Sequence, residues 1–334
     1  MKNYKLIKSG FIIALFAVVL STVVTSCQKD DDLDPTISQV AVSLKGFSQL
    51  EAAAIRGGVA GVLSEKNPAA NSGGNYTVFA PTNEAFAKLG LVNPQDLNAL
   101  QKAFLTNVLV YHVSNGNTLE SALTNGVAVP SLLGPTKRII SRGSDLFVNG
   151  SKIIATNVKA DNGTIHAIDK VILASGADIA NTAIFFAQGK GFVNPELSFL
   201  VEAVVYADLV AALADPTANY TVFAPTNQAF KDLGKILGVA IDNPADIRKL
   251  DKATVTQVLL THVFNLQGGG KFTSELFASD ITALNGQVIT LGAYNKGVLS
   301  VKGRGNATAA NMAIPDVQTT NGVVHVIDRV LLPQ

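Results

Sequence analysis

NYTVFAPTNEAFAKLG, residues 75–90, returns at 219–234 as NYTVFAPTNQAFKDLG, with 13 of 16 positions identical. Downstream, NGTIHAIDKVIL at 162–173 returns as NGVVHVIDRVLL at 321–332, with 7 of 12 identical. Between them, NPQDLNALQKAFLTNVLVYHV at 93–113 corresponds to NPADIRKLDKATVTQVLLTHV at 243–263. The order is the same in both halves, so the chain carries a duplicated domain. A period of about 150 residues is far longer than that of a solenoid repeat, so each copy is expected to own a core and to fold alone. The offset grows from 144 at the first motif to 150 at the second and 159 at the third, which places insertions between the motifs. One is the first copy's Glu65 to Gly74; the second copy has Gly268-Gly269-Gly270 and a stretch within Gly303 to Ile314. The expected domains are 36–174 and 177–334. Ser175-Gly176 between them is too short for free tumbling, so the domains should hold a preferred angle.

Local signals give a coarse structure. Tyr76-Thr77-Val78-Phe79 is β-branched and aromatic and is closed by Pro81, which predicts a strand. Thr82-Asn83 supplies capping side chains for a short helix over Glu84 to Leu89. Asn93-Pro94-Gln95-Asp96 and Asn243-Pro244-Ala245-Asp246 each put a capping Asn before Pro at the first helical position, with an acid in the first turn. Leu97, Leu100, Phe104 and Val108 then recur every three to four residues, which predicts one amphipathic helix. Ile165 to Leu173 reads as a buried strand. Helices in the first half of each copy and strands in the second predict an α+β domain.

These motifs carry a family resemblance. TVFAPTN followed by Ala-Phe (Thr77, Phe79, Pro81, Thr82, Asn83; Thr221, Phe223, Pro225, Thr226, Asn227) resembles the first signature of the fasciclin-like domain of cell-surface adhesion proteins. Asn-Gly-x-x-His-x-Ile-Asp (Asn162, Gly163, His166, Asp169; Asn321, Gly322, His325, Asp328) resembles its second. Tyr111-His112 is similar to the Tyr-His motif between them, and the second copy departs there with Thr261-His262. The resemblance implies a wedge or sandwich of strands flanked by helices, and, more loosely, surface attachment and adhesion. It also bears on Ile314-Pro315-Asp316-Val317-Gln318. In animal matrix members a Glu-Pro-Asp-Ile-Met segment at this place is tied to integrin binding; here Pro315 and Asp316 match but Glu and Met do not. The plainer reading of Pro315-Asp316 is a turn leading into the last strand.

The amino terminus reads as an export signal. Lys2, Lys5 and Lys8 precede an uncharged run from Ser9 to Ser26 built on the apolar block Phe11 to Leu20. Val24-Thr25-Ser26-Cys27 resembles a lipobox, with residues 1–26 the signal peptide and Cys27 the lipidated residue; an uncleaved membrane anchor is the alternative. Lys29, Asp30, Asp31 and Asp32 look like the acidic export tag of surface lipoproteins in Bacteroidota, within a tether at 27–35. Lipidation would consume the only cysteine. Disulfides and thiolate chemistry are then excluded. Loss of residues 1–26 removes three lysines and no acid from 26 basic and 25 acidic residues, leaving 23 against 25 and no basic field for nucleic acid.

Little in the sequence points to catalysis. The four histidines occupy repeat-equivalent places, His112 with His262 and His166 with His325. Within each copy they lie too far apart for a local metal motif, so a structural role is expected. Asp169 and Asp328, three residues after a histidine, would point to the opposite face of a strand from it. No zincin, nucleophile-elbow or phosphate-loop motif occurs, and Gly268-Gly269-Gly270-Lys271 reads as a flexible loop. Asn75 and Asn219 read as turn formers. The expectation is a non-enzymatic surface module without cofactor or metal, adhering to a matrix, a cell or a polysaccharide. The alternative is an accessory binding subunit of an outer-membrane glycan- or nutrient-uptake system.

Overall fold

The structure, a computed structural model, describes residues 34–194 and 196–334; the signal peptide, Cys27, the acidic tag and all but the end of the tether lie outside them. In the first domain α1 (Ile37–Ser43) and α2 (Ser48–Gly57) lead to β1 (Tyr76–Pro81), α3 (Asn83–Ala87) and α4 (Lys102–Tyr111). The strands β2 (Val113–Asn115), β3 (Ala128–Pro130), β4 (Thr136–Arg142), β5 (Asp145–Val148), β6 (Ser151–Ala160) and β7 (Gly163–Ile168) follow, then the short β8 (Leu173–Ala174). The second domain repeats the plan. Its helices and first strand are α5 (Ile179–Ala187), α6 (Ser198–Tyr206), α7 (Val210–Ala214), β9 (Tyr220–Pro225), α8 (Asn227–Leu237) and α9 (Lys252–Leu260). It closes with β10 (Val263–Phe264), β11 (Ser279–Thr282), β12 (Val288–Leu291), β13 (Ser300–Gly303), β14 (Ala310–Thr319) and β15 (Gly322–Ile327).

The two sheets have the same strand order, β2-β1-β7-β6-β5-β4-β3 and β10-β9-β15-β14-β13-β12-β11. The first and last motifs meet as parallel neighbours: β1 runs beside β7 with Tyr76 opposite Gly163 and Phe79 opposite His166, and β9 runs likewise beside β15. Register shifts in β6 and β14 are bulges, which bend a strand. The bent sheet encloses one core and lays its other face on the helices. Alternation along β1 follows from this: Phe79 joins Tyr111, Ile139 and Val148 inside the bend, while Val78 and Ala80 join the helical core. The expected α+β wedge flanked by helices is the observed architecture.

Four expectations are corrected. The stretch Leu97 to Val108 is not one helix. A 3-10 turn over Pro94–Ala99 ends where Leu100 and Gln101 turn extended, and α4 starts afresh at Lys102. The stretch Ile165 to Leu173 is likewise interrupted, because β7 ends at Ile168 and β8 leaves to pair with β14 of the second domain. Pro315-Asp316 is no turn before a strand but lies inside β14 at its bulge, with Asp316 at φ 65°. The copies also do not each keep a whole core to themselves. The core inside each bent sheet is private, whereas the helical core runs through both domains. Phe104 of α4 meets Phe185, Phe186 and Phe192 at ring separations of 5.7, 6.0 and 6.1 Å, and Asp34–Gln334 form one compact unit.

Candidate functional site

The repeated motif residues act as braces. Thr82 Oγ1 accepts from Ala85 N at 3.3 Å and Thr226 Oγ1 from Ala229 N at 3.2 Å, capping α3 and α8. Asn83 Oδ1 accepts from Gln49 N at 2.9 Å and Asn227 Oδ1 from Phe199 N at 3.1 Å, so each ties the start of a helix to the end of the first strand. Asn162 ties another helix start to the beginning of β7: its Oδ1 accepts from Ile37 N, and its Nδ2 donates to Leu63 O and Glu65 O. Asn321 makes the same three bonds to Ile179 N, Leu213 O and Asp215 O. Gly163 and Gly322 sit at φ 151° and 156°, where an added Cβ would lie 1.9 Å from Tyr76 O or 2.2 Å from Tyr220 O. No other residue fits where the two parallel strands begin. Thr77 Oγ1 donates to Gly116 O and accepts from Thr118 N, and Thr221 Oγ1 accepts from Lys271 N.

The histidines are bound into the backbone. His112 Nδ1 lies 2.6 Å from Val108 O, and its Nε2 accepts from Ile172 N at 3.1 Å; His262 repeats this with Val258 O at 2.8 Å and Leu331 N at 2.8 Å. A carbonyl at one nitrogen and an N–H at the other fix the neutral tautomer with the proton on Nδ1. Burial pushes both rings down to about 4, against the raising effect of the helix carbonyl. His166 stacks on Phe79 at 5.4 Å and His325 on Phe223 at 5.5 Å, with Nε2 against Thr118 O and Lys271 O respectively. Burial lowers their pKa values as well. Asp169 and Asp328 lie just past β7 and β15, not beside a histidine. Asp169 Oδ1 accepts from Lys152 N, and Asp328 holds Asn311 through both oxygens. The Gly268–Gly270 loop is held against the beginnings of β9 and β15: Asn219 Oδ1 accepts from Gly270 N, and a Cβ on Gly270 would meet Val323 N at 2.7 Å.

The richest polar cluster is the joint between the domains, which the sequence analysis missed. Lys170, 6% exposed, ion-pairs with Asp316, 7% exposed, and donates to Thr273 Oγ1 at 3.0 Å and Gly297 O at 2.7 Å. Asp316 also accepts from Thr273 N at 2.6 Å and Oγ1 at 2.7 Å. Burial alone would raise the Asp316 carboxyl, but Lys170, His325 and these hydrogen bonds hold it below the usual range. Gly150 gives way to this carboxylate, for a Cβ there would lie 2.0 Å from its Oδ2. Around the pair, Arg138 bonds Glu275 at 2.7 Å and Gly270 O at 2.8 Å. Arg142 donates to Thr273 O, Ser274 O and Leu276 O, and its guanidinium lies over Phe277 and Tyr294 at 4.3 and 4.4 Å. Tyr111 OH and Asn149 Nδ2 both donate to Gln318 Oε1, and Gln318 Nε2 donates to Thr136 O. Asp316 therefore faces the first domain, not solvent. In the sequence these positions show only as differences between the copies: Tyr111 and Asp316 stand where the other copy has Thr261 and Asn157, while Lys170 keeps its charge in Arg329.

Among the described residues no group of three or more His, Cys, Asp or Glu is placed to hold a metal, and no helix is long and apolar enough to cross a membrane.

The chain matches the family described as Fasciclin domain over residues 45–174 and 195–333. Human periostin is 29% identical over 271 residues, spanning 78% of this chain and 28% of periostin. The pig transforming growth factor-beta-induced protein ig-h3 is 26% identical over 264 residues, 78% of this chain and 35% of that protein. The chain thus spans about a third or less of the length of these two relatives. A FAS1 domain pair from the insect cell adhesion molecule Fasciclin I aligns over 77% of this chain and 88% of the pair, at 18% identity and a TM-score of 0.38. On the family match to both halves, this chain belongs to the fasciclin domain family.

Proposed function

We propose that the chain is a non-enzymatic surface module that binds a matrix, a neighbouring cell or a polysaccharide, held to the outer membrane through a lipid on Cys27. The observation that carries this reading is the inward use of the repeated polar residues. The four histidines bond to main-chain atoms of their own domains, and Asp316 is spent on the joint. The motifs brace two domains, and the joint sets the spacing between them. A polymeric ligand engaging both gains by effective concentration, which a monomeric fragment cannot.

The test is binding of the full chain to an array of polysaccharides and matrix proteins, with monomeric fragments of each hit as competitors. Saturable binding to a polymer that its fragments compete poorly is the expected result. Equal binding of a short soluble oligomer would favour the uptake-subunit reading, and turnover of any arrayed ligand would overturn the non-enzymatic one. Fatty-acid labelling of the wild type and Cys27→Ala tests the anchor; equal labelling of the two would remove it.

A further inference from the structure

The two domains differ in how well the space between helices and sheet is filled. Beneath α1 and α2 of the first domain lies a cavity of about 350 Å³; its counterpart under α5, α6 and α7 holds about 40 Å³. The hydrogen bonds shared by Asn83 and Asn227, by Asn162 and Asn321, and by the paired strands give the equivalent positions. Ala54 stands where the second domain has Val204, and Val59 where it has Leu209. On the sheet, the neighbours Ala155 and Ala167 replace the neighbours Ile314 and Val326. Phe47, Ile55 and Ile165 are larger than Leu197, Val205 and Val324, but the four reductions outweigh them. The cavity is hollowed by sequence, on a backbone whose second copy is packed.

We infer that this cavity binds a single unbranched hydrocarbon chain with an uncharged head. The polar side chains on its wall are Ser38, Glu51 and His112, and the rest is apolar. Both nitrogens of His112 are engaged, so that ring offers a ligand no partner, and the apolar remainder of the wall disfavours a charge. A volume near the low end of the usual 300–1,000 Å³ for ligand sites admits a slender chain and not a fused-ring lipid. Val42, Leu44 and Ile55 line the opening and are 55, 43 and 66% exposed, which gives the ligand an apolar entry. Glu51 is the charged side chain of the wall, and it disfavours a carboxylate head; an alcohol, ester or amide is accepted. Such a chain can come from a membrane lipid or from an acyl group on Cys27 itself.

Asp34–Gln334 is a compact unit containing every described element, so it is tested without residues 1–33. The probe is radiolabelled 1-dodecanol in equilibrium dialysis, displaced by unlabelled 1-dodecanol or dodecanoate. Saturable binding of one probe per chain is expected, with dodecanol displacing at least tenfold better than dodecanoate. Ala54→Val/Ala155→Ile/Ala167→Val, which installs the second domain's residues, should weaken binding at least tenfold with melting unchanged or raised. Ala167→Val alone, weakening it severalfold, serves if the triple variant fails to fold. Absence of saturable binding, undiminished binding by the filled variants, or equal displacement by dodecanoate would overturn the assignment. Lipidated full chain that refuses the probe, beside Cys27→Ala chain that takes it, would support the site and identify its occupant as the chain's own lipid.

Discussion

Tyr111 in the first domain and Thr261 in the second hold the same place, one residue before a histidine with the same two hydrogen bonds. Tyr111 reaches across to Gln318 of the other domain, whereas Thr261 Oγ1 stays at home, accepting from Asn285 Nδ2 and donating to Gln257 O. The same contrast holds at the bulge. Asn157 and Asp316 share a left-handed backbone, at φ 57° and 65°, yet Asn157 bonds the exposed Glu120 of its own domain and Asp316 the buried Lys170 of the other. The motif residues that brace a single domain are kept in both copies, whereas Tyr111 and Asp316 at the joint differ from their counterparts Thr261 and Asn157. The joint is head-to-tail, using different faces of one fold, so each copy leaves bare the face that the other one uses.

Breaking the buried pair is the strongest challenge to that contrast. Asp316→Asn keeps the left-handed backbone but leaves the Lys170 ammonium buried without its counter-charge, and should destabilise the chain by about 3–5 kcal/mol. The mirror change Asn157→Asp, on an exposed bulge, should stay within about 0.5 kcal/mol. Urea titrations of both variants check this. Equal losses would mean that the joint contributes no more than an ordinary surface.

Next in size is an effect that should be the same in both domains. His112 and His262 titrate near 4 when folded and 6.5 when not. Between those values the unfolded chain takes up a proton on each ring that the folded chain refuses. Stability is therefore complete above pH 6.5 and falls as pH drops toward 4, by on the order of 3 kcal/mol per ring. His112→Gln and His262→Gln should each remove about half of that acid dependence in a denaturation series. If only one does so, the two sites are not equivalent.

The brace was legible in the sequence because each part of it is local or repeated. Thr82 before Asn83, Asn93 before Pro94 and the paired histidines announce capping, turn and burial on their own. The joint was not, because its parts stand far apart in the chain: Lys170 and Asp316 are separated by 146 positions, and neither differs from a surface charge until the domains are docked. Interrupted elements were missed for a related reason. Apolar spacing continues through Leu100 and through Val171-Ile172, but at Leu100 the backbone turns extended and bridges to Phe192, and at Leu173 it leaves for the neighbouring sheet. Tertiary pairing there overrides local periodicity.

A third expectation separates the domains at a single lysine. Lys137 is fully buried, donates to Tyr111 O and Ser114 Oγ, and lies 5.5 Å from the Phe79 ring centroid. Its counterpart by strand register is the equally buried Ile289, which pairs with Ile281 as Lys137 pairs with Val129. Burial depresses Lys137 from 10.5 to about 7. Above pH 7 the unfolded chain still holds the proton that the folded chain has lost, so stability rises with pH, by on the order of 2 kcal/mol between pH 7 and 8.5. In Lys137→Met that rise should vanish from the pH series, while Ile289→Met, at the equivalent position, should leave it intact.

The smallest effect returns to Tyr111. Tyr111→Phe keeps the ring in the core of the bent sheet and deletes only the hydroxyl that meets Gln318 and Asn149. Loss of such neutral hydrogen bonds costs about 1 kcal/mol, and Thr261→Val should cost a similar amount. The two differ in what they couple to. Gln318 accepts from Tyr111 across the joint, so Tyr111→Phe combined with Gln318→Leu should lose less than the sum of the single changes, by at least about 0.5 kcal/mol. Thr261→Val has no partner in the first domain and should add to Gln318→Leu without interaction. A double-mutant cycle in urea measures both. Additivity at Tyr111 would show that the hydroxyl serves its own domain as Thr261 does, and that the substitution between the copies has nothing to do with the joint.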